Sequence, residues 1–392
     1  MHGKVVYGAT DLAGIDRLTR ISDSADVFVA GGGPAGLAAA IAARQAGFRV
    51  IVADYQQPPI DKACGEGLMP EGVEALRQLG VHIPFSVSRP FAGIRFIGEE
   101  HRVDARFPSG QGVAMRRTAL HSLLLDRATE LGVEFRWRTG VTALNANGVI
   151  AGGKLIQTKW IVGADGSASI VRRLAGLERW IFHSRRFGFR RHFRVAPWSS
   201  YTEIYWGKGC QAYVTPVSPR EISVAVLSRN PRLRVNHVLR QMPELASRLQ
   251  GADATTTERG TVSGNGALWR IHRGRTVLTG DASGTVDAIT GDGLSIAFRQ
   301  ALALSSALKA GDLSSYVAAH RRLAVRPLLM SFLLLSLDRY PWLRKRALGA
   351  LADDPKFFEG LLGLHVGSRA TPGYVCRRML PLTLQFLKDS LS

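Results

Sequence analysis

The stretch DVFVAGGGPAGLAAAIAARQAGFRVIVAD, residues 26–54, constrains the fold of this chain more than any other. Val27 to Ala30 is a short apolar run of the kind buried on both faces at the centre of a parallel sheet. Gly31, Gly33 and Gly36 follow at G-x-G-x-x-G spacing. The three act differently, since Gly31 permits a tight turn, Gly33 lets a pyrophosphate approach the backbone, and Gly36 lets the next helix pack close to the strand. That helix starts around Pro34 and Ala35, where free N–H groups and the positive dipole end face the phosphates. Small residues (Ala39, Ala40, Ala42, Ala43) keep it thin, and Gly47 closes it before the second strand, RVIVAD. Asp54 ends that strand, where an acidic side chain accepts hydrogen bonds from an adenosine ribose. The spacing therefore predicts a dinucleotide-binding β-α-β unit; the competing reading is a glycine turn between packed elements with no ligand.

At 392 residues the chain is long enough for one large domain or two interleaved ones. The cysteines Cys64, Cys210 and Cys376 form no C-x-x-C pair, so neither a metal site nor a disulfide framework is expected. The first twenty residues lack the apolar core of a secretory signal, which predicts a cytoplasmic protein with an N-terminal extension. A formal charge of +20 invites a nucleic-acid reading. The basic residues are spread along the whole chain without a zinc-finger, basic-zipper or RNP pattern, so no nucleic-acid partner is expected. Attraction to an anionic membrane or to acidic ligands, or an arginine-rich genome, accounts for the charge equally well.

Two later stretches narrow the ligand. WIVGADGSASIVRRLAG carries Asp165-Gly166, Ser169 and Arg172 after an apolar strand; RTVLTGDASGTVDAITGDGLSIAFRQALALSSAL carries Gly280-Asp281, a glycine-rich loop and a long helix. In order and spacing they resemble the D-G-x-x-S-x-x-R and G-D motifs of the FAD-dependent aromatic-hydroxylase type (class A flavoprotein monooxygenases) and of geranylgeranyl-reductase-like flavoproteins, over residues 26–325 or so. That resemblance implies FAD as cofactor, Asp281 on its ribityl hydroxyls and Asp165 organising the pyrophosphate side. It also implies NAD(P)H as a transient co-substrate, because only one dinucleotide fold is visible. Gly291, Gly293 and Leu294 open the late helix, whose N-terminal amides suit the negative charge of a reduced flavin. Arg117 with Leu120 resembles the R-x-x-L arginine that reaches FAD, with Arg116 a competitor. Hydroxylases usually have a proline in the late loop, where this chain has Ala288, and this departure leans toward the reductase-like branch, which itself often has proline there. The W-x-W-x-I-P segment of flavin halogenases is absent from the sequence.

The segment DKACGEGLMPEG resembles the Cys-Gly-x-Gly stretch of geranylgeranyl-reductase-like proteins, placing Cys64 beside the flavin ring with Glu66 as a proton donor; a glycine turn with a buried thiol is the alternative. Alternating patterns over 83–111 and 179–261 read as antiparallel sheet, with Tyr205, Trp206 and Tyr213 as wall candidates for a lipophilic or aromatic substrate. His183 and His192 read as satisfied sheet residues rather than bases. After residue 325, leucines and basic residues alternate in blocks too short to span a bilayer, fitting either helices packed on the cofactor region or an interface segment in peripheral membrane contact.

The expected fold class is α/β: a Rossmann-like FAD-binding domain with a central parallel sheet, an interleaved antiparallel-sheet substrate domain (α+β) and a helical C-terminal segment. The expected divisions are an extension at 1–24; cofactor region 25–82, 112–178 and 262–328; substrate region 83–111 and 179–261; and C-terminal helices 329–392. The expected function is an FAD-dependent oxidoreductase that either hydroxylates an organic substrate with O2 or reduces a C=C bond. A non-catalytic flavin-holding protein that binds a membrane or an acidic partner stays open.

Overall fold

The computed structural model describes residues 24–368, so the expected N-terminal extension, Cys376 and the last stretch of the C-terminal region lie outside the described residues. The parallel core is the strand series Thr276–Leu278, Lys154–Gly163, Ser24–Ala30, Val50–Asp54 and Glu134–Trp137, each neighbour pair parallel. Val27, Phe28 and Val29 are fully buried, as a strand covered on both faces requires. The helices Pro34–Gln45 and Gly293–Ala310 pack on one another beside this sheet. Antiparallel strands at Gly148–Ala151 and His272–Arg273 extend the sheet.

A second sheet of seven strands holds Gly93–Ile97, Arg186–Phe193, Thr202–Trp206, Cys210–Ser218 and Glu221–Ser228. Its pairs are antiparallel except one: Thr202–Trp206 runs parallel to Gly93–Ile97, from Thr202 beside Ile94 to Tyr205 beside Ile97. Alternation along a strand cannot reveal this, because it reports which face is buried and not the neighbour's direction. One face of this sheet, with Ile94, Phe96, Ile204 and Tyr213, joins Leu334, Leu348, Leu351 and Phe358 of the C-terminal helices Leu313–Arg339, Pro341–Asp353 and Pro355–His365 in one apolar core. Among the described residues no helix is long and apolar enough to cross a membrane.

Buried charge ties the regions together. Arg186 Nη1 donates to Asp287 Oδ1 at 3.0 Å in the late glycine-rich loop, and Nη2 lies 3.6 Å from Asp338 of helix Leu313–Arg339; all three side chains are essentially out of water.

At Gly36 a Cβ would stand 1.8 Å from the carbonyl oxygen of Gly31, so the helix can lie where it does only with hydrogen there. Gly36→Ala is expected to lower the unfolding free energy by about 1–3 kcal/mol in urea titration, the usual cost of overpacking.

Candidate functional site

The three glycine-bearing motifs meet at one point. Gly31 has φ +110°, where an added Cβ would stand 2.4 Å from the Ala164 carbonyl; Gly280 has φ +57°, where a Cβ would come within 2.6 Å of Ala35 Cβ. Asp54 accepts from Gly32 N at 2.7 Å and from Gln56 N at 2.8 Å, which fixes the ends of both strands around the turn. Gly280 N in turn donates to Gln300 Oε1 at 2.8 Å, holding the late turn against helix Gly293–Ala310.

From this junction opens a cavity of about 1250 Å³. Gly31, Gly33, Pro34, Ala35, Asp54 and Arg117 line it, as do Asp165, Gly280, Asp281, Gly291, Gly293 and Leu294; Cys64 and Tyr213 border it as well. Two features fit a dinucleotide. At Gly33 a Cβ would meet nothing within 4 Å among the described residues, so the backbone is bare toward the cavity. Arg117 lines the same space with a buried Nε that has no partner among the described residues. The Arg116 alternative is closed, since its guanidinium is bound to Glu221 and Thr255.

Asp165 uses its carboxylate locally, accepting from the Ser169 hydroxyl, from Ile170 N at 2.7 Å and from Val171 N at 3.0 Å. Arg172, buried behind it, donates to the Ser167 carbonyl at 2.8 Å and the Ala282 carbonyl at 3.2 Å. The second motif thereby clamps its own turn to the third. Asp281 pairs with Lys62 Nζ at 2.8 Å, and this ammonium holds the Asp281 carboxyl below its usual range. Lys62 was not expected from the sequence; its only sign there was a position in the same segment as Cys64.

That segment is pinned by Glu66, whose backbone sits at φ +60°, a left-handed conformation that costs a non-glycine residue free energy. Its buried carboxylate accepts from Arg117 N at 2.8 Å, Arg190 Nη1 at 2.5 Å and His192 Nε2 at 2.6 Å. Arg190 also reaches Asp61 Oδ2 at 3.0 Å, and Arg259 Nε lies 2.6 Å from the same oxygen. Burial pushes the Glu66 carboxyl up, but His192, Arg190 and the Arg117 amide outweigh it and the net direction is down. With three donors on its carboxylate, Glu66 positions Arg117, Arg190 and His192 around the cysteine segment. His192 is satisfied, as expected, by Glu66 and Thr256.

Of the wall candidates, Tyr213 borders the cavity and donates to the Ile289 carbonyl at 2.7 Å. Tyr205 lies in a different apolar cluster with its hydroxyl on Glu203, and Trp206 stands edge-on to Phe96; neither lines the cavity. The alternation of strand Thr202–Trp206 puts Thr202 and Ile204, not Tyr205, on the cavity side.

Comparison with known proteins identifies the family. A family model described as "FAD binding domain" matches residues 24–311, and the chain belongs to that family. It is an FAD-dependent oxidoreductase of the group that includes reductases and monooxygenases. Menaquinone reductase of Mycobacterium tuberculosis is 27% identical over 330 residues, spanning 75% of this chain and 79% of that protein. The 12-dehydrotetracycline 5-monooxygenase/anhydrotetracycline 6-monooxygenase of Streptomyces rimosus is 34% identical over 167 residues, 39% of this chain and 33% of that one. The solved structure of a geranylgeranyl bacteriochlorophyll reductase-like protein from Thermoplasma acidophilum shares the fold at TM-score 0.72 and 19% identity, covering 93% of this chain and 99% of the other.

Gly33→Val is expected to leave the stability of the apoprotein unchanged and to weaken FAD binding at least about tenfold, about 1.4 kcal/mol, in a fluorescence titration. Glu66→Ala is expected to cost about 3 kcal/mol by stranding Arg190 and His192. Because the folded-state pKa of Glu66 is lowered, its contribution is complete above the usual value near 4.5 and is lost as pH falls below it; urea midpoints of the two proteins are expected to converge on acidification.

Proposed function

We propose that the chain is an NAD(P)H-fed, FAD-dependent reductase of a carbon–carbon double bond in a lipophilic, isoprenoid-type substrate. The observation that carries this reading is the apolar part of the cavity lining. The cavity is walled there by Met330, Leu334, Leu337, Phe357, Phe358 and Leu361 from the C-terminal helices, an apolar lining suited to a hydrocarbon chain. The menaquinone reductase likeness, spread over three quarters of the chain, supports the same branch. Hydroxylation is the second reading, favoured by the likeness to the tetracycline monooxygenase over a shorter stretch.

In this reading the bare backbone at Gly33, with the amides of Ala35 and Gly36, receives the pyrophosphate. Asp54 takes the adenosine ribose, Arg117 the phosphates and Asp281 the ribityl hydroxyls, with Lys62 shared between Asp281 and the ligand. The amides of Gly293 and Leu294 at the start of helix Gly293–Ala310 face the ring edge that gains charge on reduction. When bound, FAD supplies the hydride chemistry. The protein's own work is to exclude water with the C-terminal helices and to hold Cys64 on the cavity wall through the Glu66 clasp.

An interface role for the C-terminal region belongs to the same reading. Leu329 (65% exposed) and Phe332 (52%) form an apolar strip on helix Leu313–Arg339, with the exposed Arg322 and Arg339 at its ends. Leu333, also exposed, borders the cavity, so the strip adjoins the route a lipid tail would take.

Purified protein is expected to be yellow, to be bleached by NADH or NADPH under argon, and to recover its colour when an isoprenoid alkene is added without oxygen. Product formation that requires oxygen would replace this reading with hydroxylation. Leu329→Ser with Phe332→Ser is expected to reduce flotation with anionic liposomes while leaving the flavin spectrum unchanged; equal flotation would remove the interface role.

A further inference from the structure

Helix Leu313–Arg339 does not present its exposed apolar strip alone. Strand Trp180–His183, at the edge of a three-stranded sheet, brings Phe182 against Phe332 of the helix, with ring centroids 6.2 Å apart. Ile181 is 60% exposed, and Trp269, just after the partner strand Gly266–Leu268, is 56% exposed. Arg179 joins these pieces: its carbonyl accepts from Trp269 N at 2.9 Å, and its guanidinium lies 5.4 Å over the Trp269 ring. Ser331 of the helix donates to Asn265 Oδ1 at 3.0 Å, which fixes the helix against the same sheet. At about 100° per residue, Arg322, Val325, Leu329, Phe332 and Arg339 fall on one helix face.

Exposed apolar side chains scattered singly need no explanation, but a joined set from separate parts of the chain marks an interaction surface. Its charge selects the occupant. Within 179–185, 262–273 and 321–346 the one carboxylate is Asp338, buried beside Arg186, while Arg179, Arg185, Arg270, Arg322 and Arg339 are exposed. The neighbouring Glu178 is spent on Arg172. A second copy of the chain would bring the same cations toward these, so charge opposes self-association on this surface. An anionic bilayer matches both halves: guanidinium groups reach lipid phosphates while their stems and the aromatic rings lie at the headgroup level. Since no described helix is long and apolar enough to cross, the helix lies in the plane of that interface.

We propose that strand Trp180–His183, Trp269 and the exposed face of helix Leu313–Arg339 form one docking surface for an anionic phospholipid bilayer, and that the cavity opens onto it. Leu333 of the helix (42% exposed) and Val262 of strand Arg259–Ser263 (48%) are both exposed and both line the cavity. Met330, one turn before Leu333, lines it as well, so the apolar surface continues into the cavity wall. Resting on the reductase reading above, the substrate's hydrocarbon chain passes from the acyl chains over Leu333 into the cavity. It is never exposed to water on the way, which avoids a cost proportional to its apolar area.

The test uses the full chain loaded with FAD. Co-sedimentation with vesicles of mixed phosphatidylglycerol and phosphatidylcholine is compared with vesicles of phosphatidylcholine alone. The wild type is expected to bind the anionic vesicles at least about tenfold more tightly, and less tightly as salt rises. Ile181→Ser with Phe182→Ser, and separately Arg185→Glu with Arg270→Glu, are each expected to weaken that binding about tenfold or more, with flavin spectrum and thermal midpoint unchanged. Trp269→Phe, which keeps an aromatic ring, is expected to remove part of the tryptophan quenching by bromine-labelled acyl chains, and it decides the placement if a double variant does not fold. Variants that bind as wild type does, unchanged quenching, or equal binding to both vesicles overturns the docking surface. So does a change in sedimentation mass without a change in vesicle binding, which would mark a contact between copies of the chain. For entry, a long-chain isoprenoid alkene held in the vesicles is compared under argon with a short-chain soluble one. The Ile181/Phe182 serine variant is expected to slow reduction of the first about tenfold and leave the second unchanged. Equal rates on both, relative to wild type, overturn the entry route. A wild type that reduces neither overturns the reductase reading instead, and vesicle binding then decides on the docking surface by itself.

Discussion

Three backbone segments from distant parts of the chain approach one another more closely than any side chain allows, and the rest of the structure follows from that contact. Gly31 lies against Ala164, Gly36 against Gly31, and Gly280 against Ala35. Because the interior is packed at crystal density, a single methyl group at two of these positions has nowhere to go. The contact brings the ends of the parallel strands together in register, so that the cavity begins where free amides, the Asp54 carboxylate and Arg117 already converge. Selection on the ligand and selection on the fold act here on the same atoms.

Around this dry junction the protein uses buried charge to join pieces that apolar packing alone would leave free to slide. Asp61, Glu66, Arg190 and His192 fasten the cysteine segment to the second sheet. Arg172 fastens the second motif to the third. Such pairs contribute little net stability compared with hydrophobic side chains of the same volume, since desolvation offsets most of the attraction, but each one penalises a wrong arrangement heavily. Their value here is geometric: they set where Cys64, Arg117 and the late loop stand relative to the cavity.

The cofactor region was legible because its glycines, strand and helix lie within residues 26–54 and each demands a particular backbone. Gly31, Gly33 and Gly36 show what their spacing demands: a positive φ, an open backbone and a close helix approach. Asp165 and Asp281 also stand at the cavity, though one carboxylate is spent on its own turn and the other is paired with Lys62. What the sequence hid were partners distant in the chain. Glu66 reads as an acid in a glycine turn until Arg190 and His192, more than a hundred residues on, are seen to bind it. Phe182 and Phe332 carry no joint pattern at all. Tyr205 was misplaced for a related reason: strand alternation tells that neighbours face opposite ways, but not which way the ligand lies.

Arg186 reaches the late loop through Asp287 and the C-terminal helices through Asp338, and neither aspartate lies on the same element as the other. This guanidinium therefore ties the late loop to helix Leu313–Arg339 from the interior. A lineage that exchanged its final helices for others would leave a cation in the interior half-compensated. Replacing those helices would strip the buried guanidinium of a partner, whereas single apolar side chains on them can change without touching it.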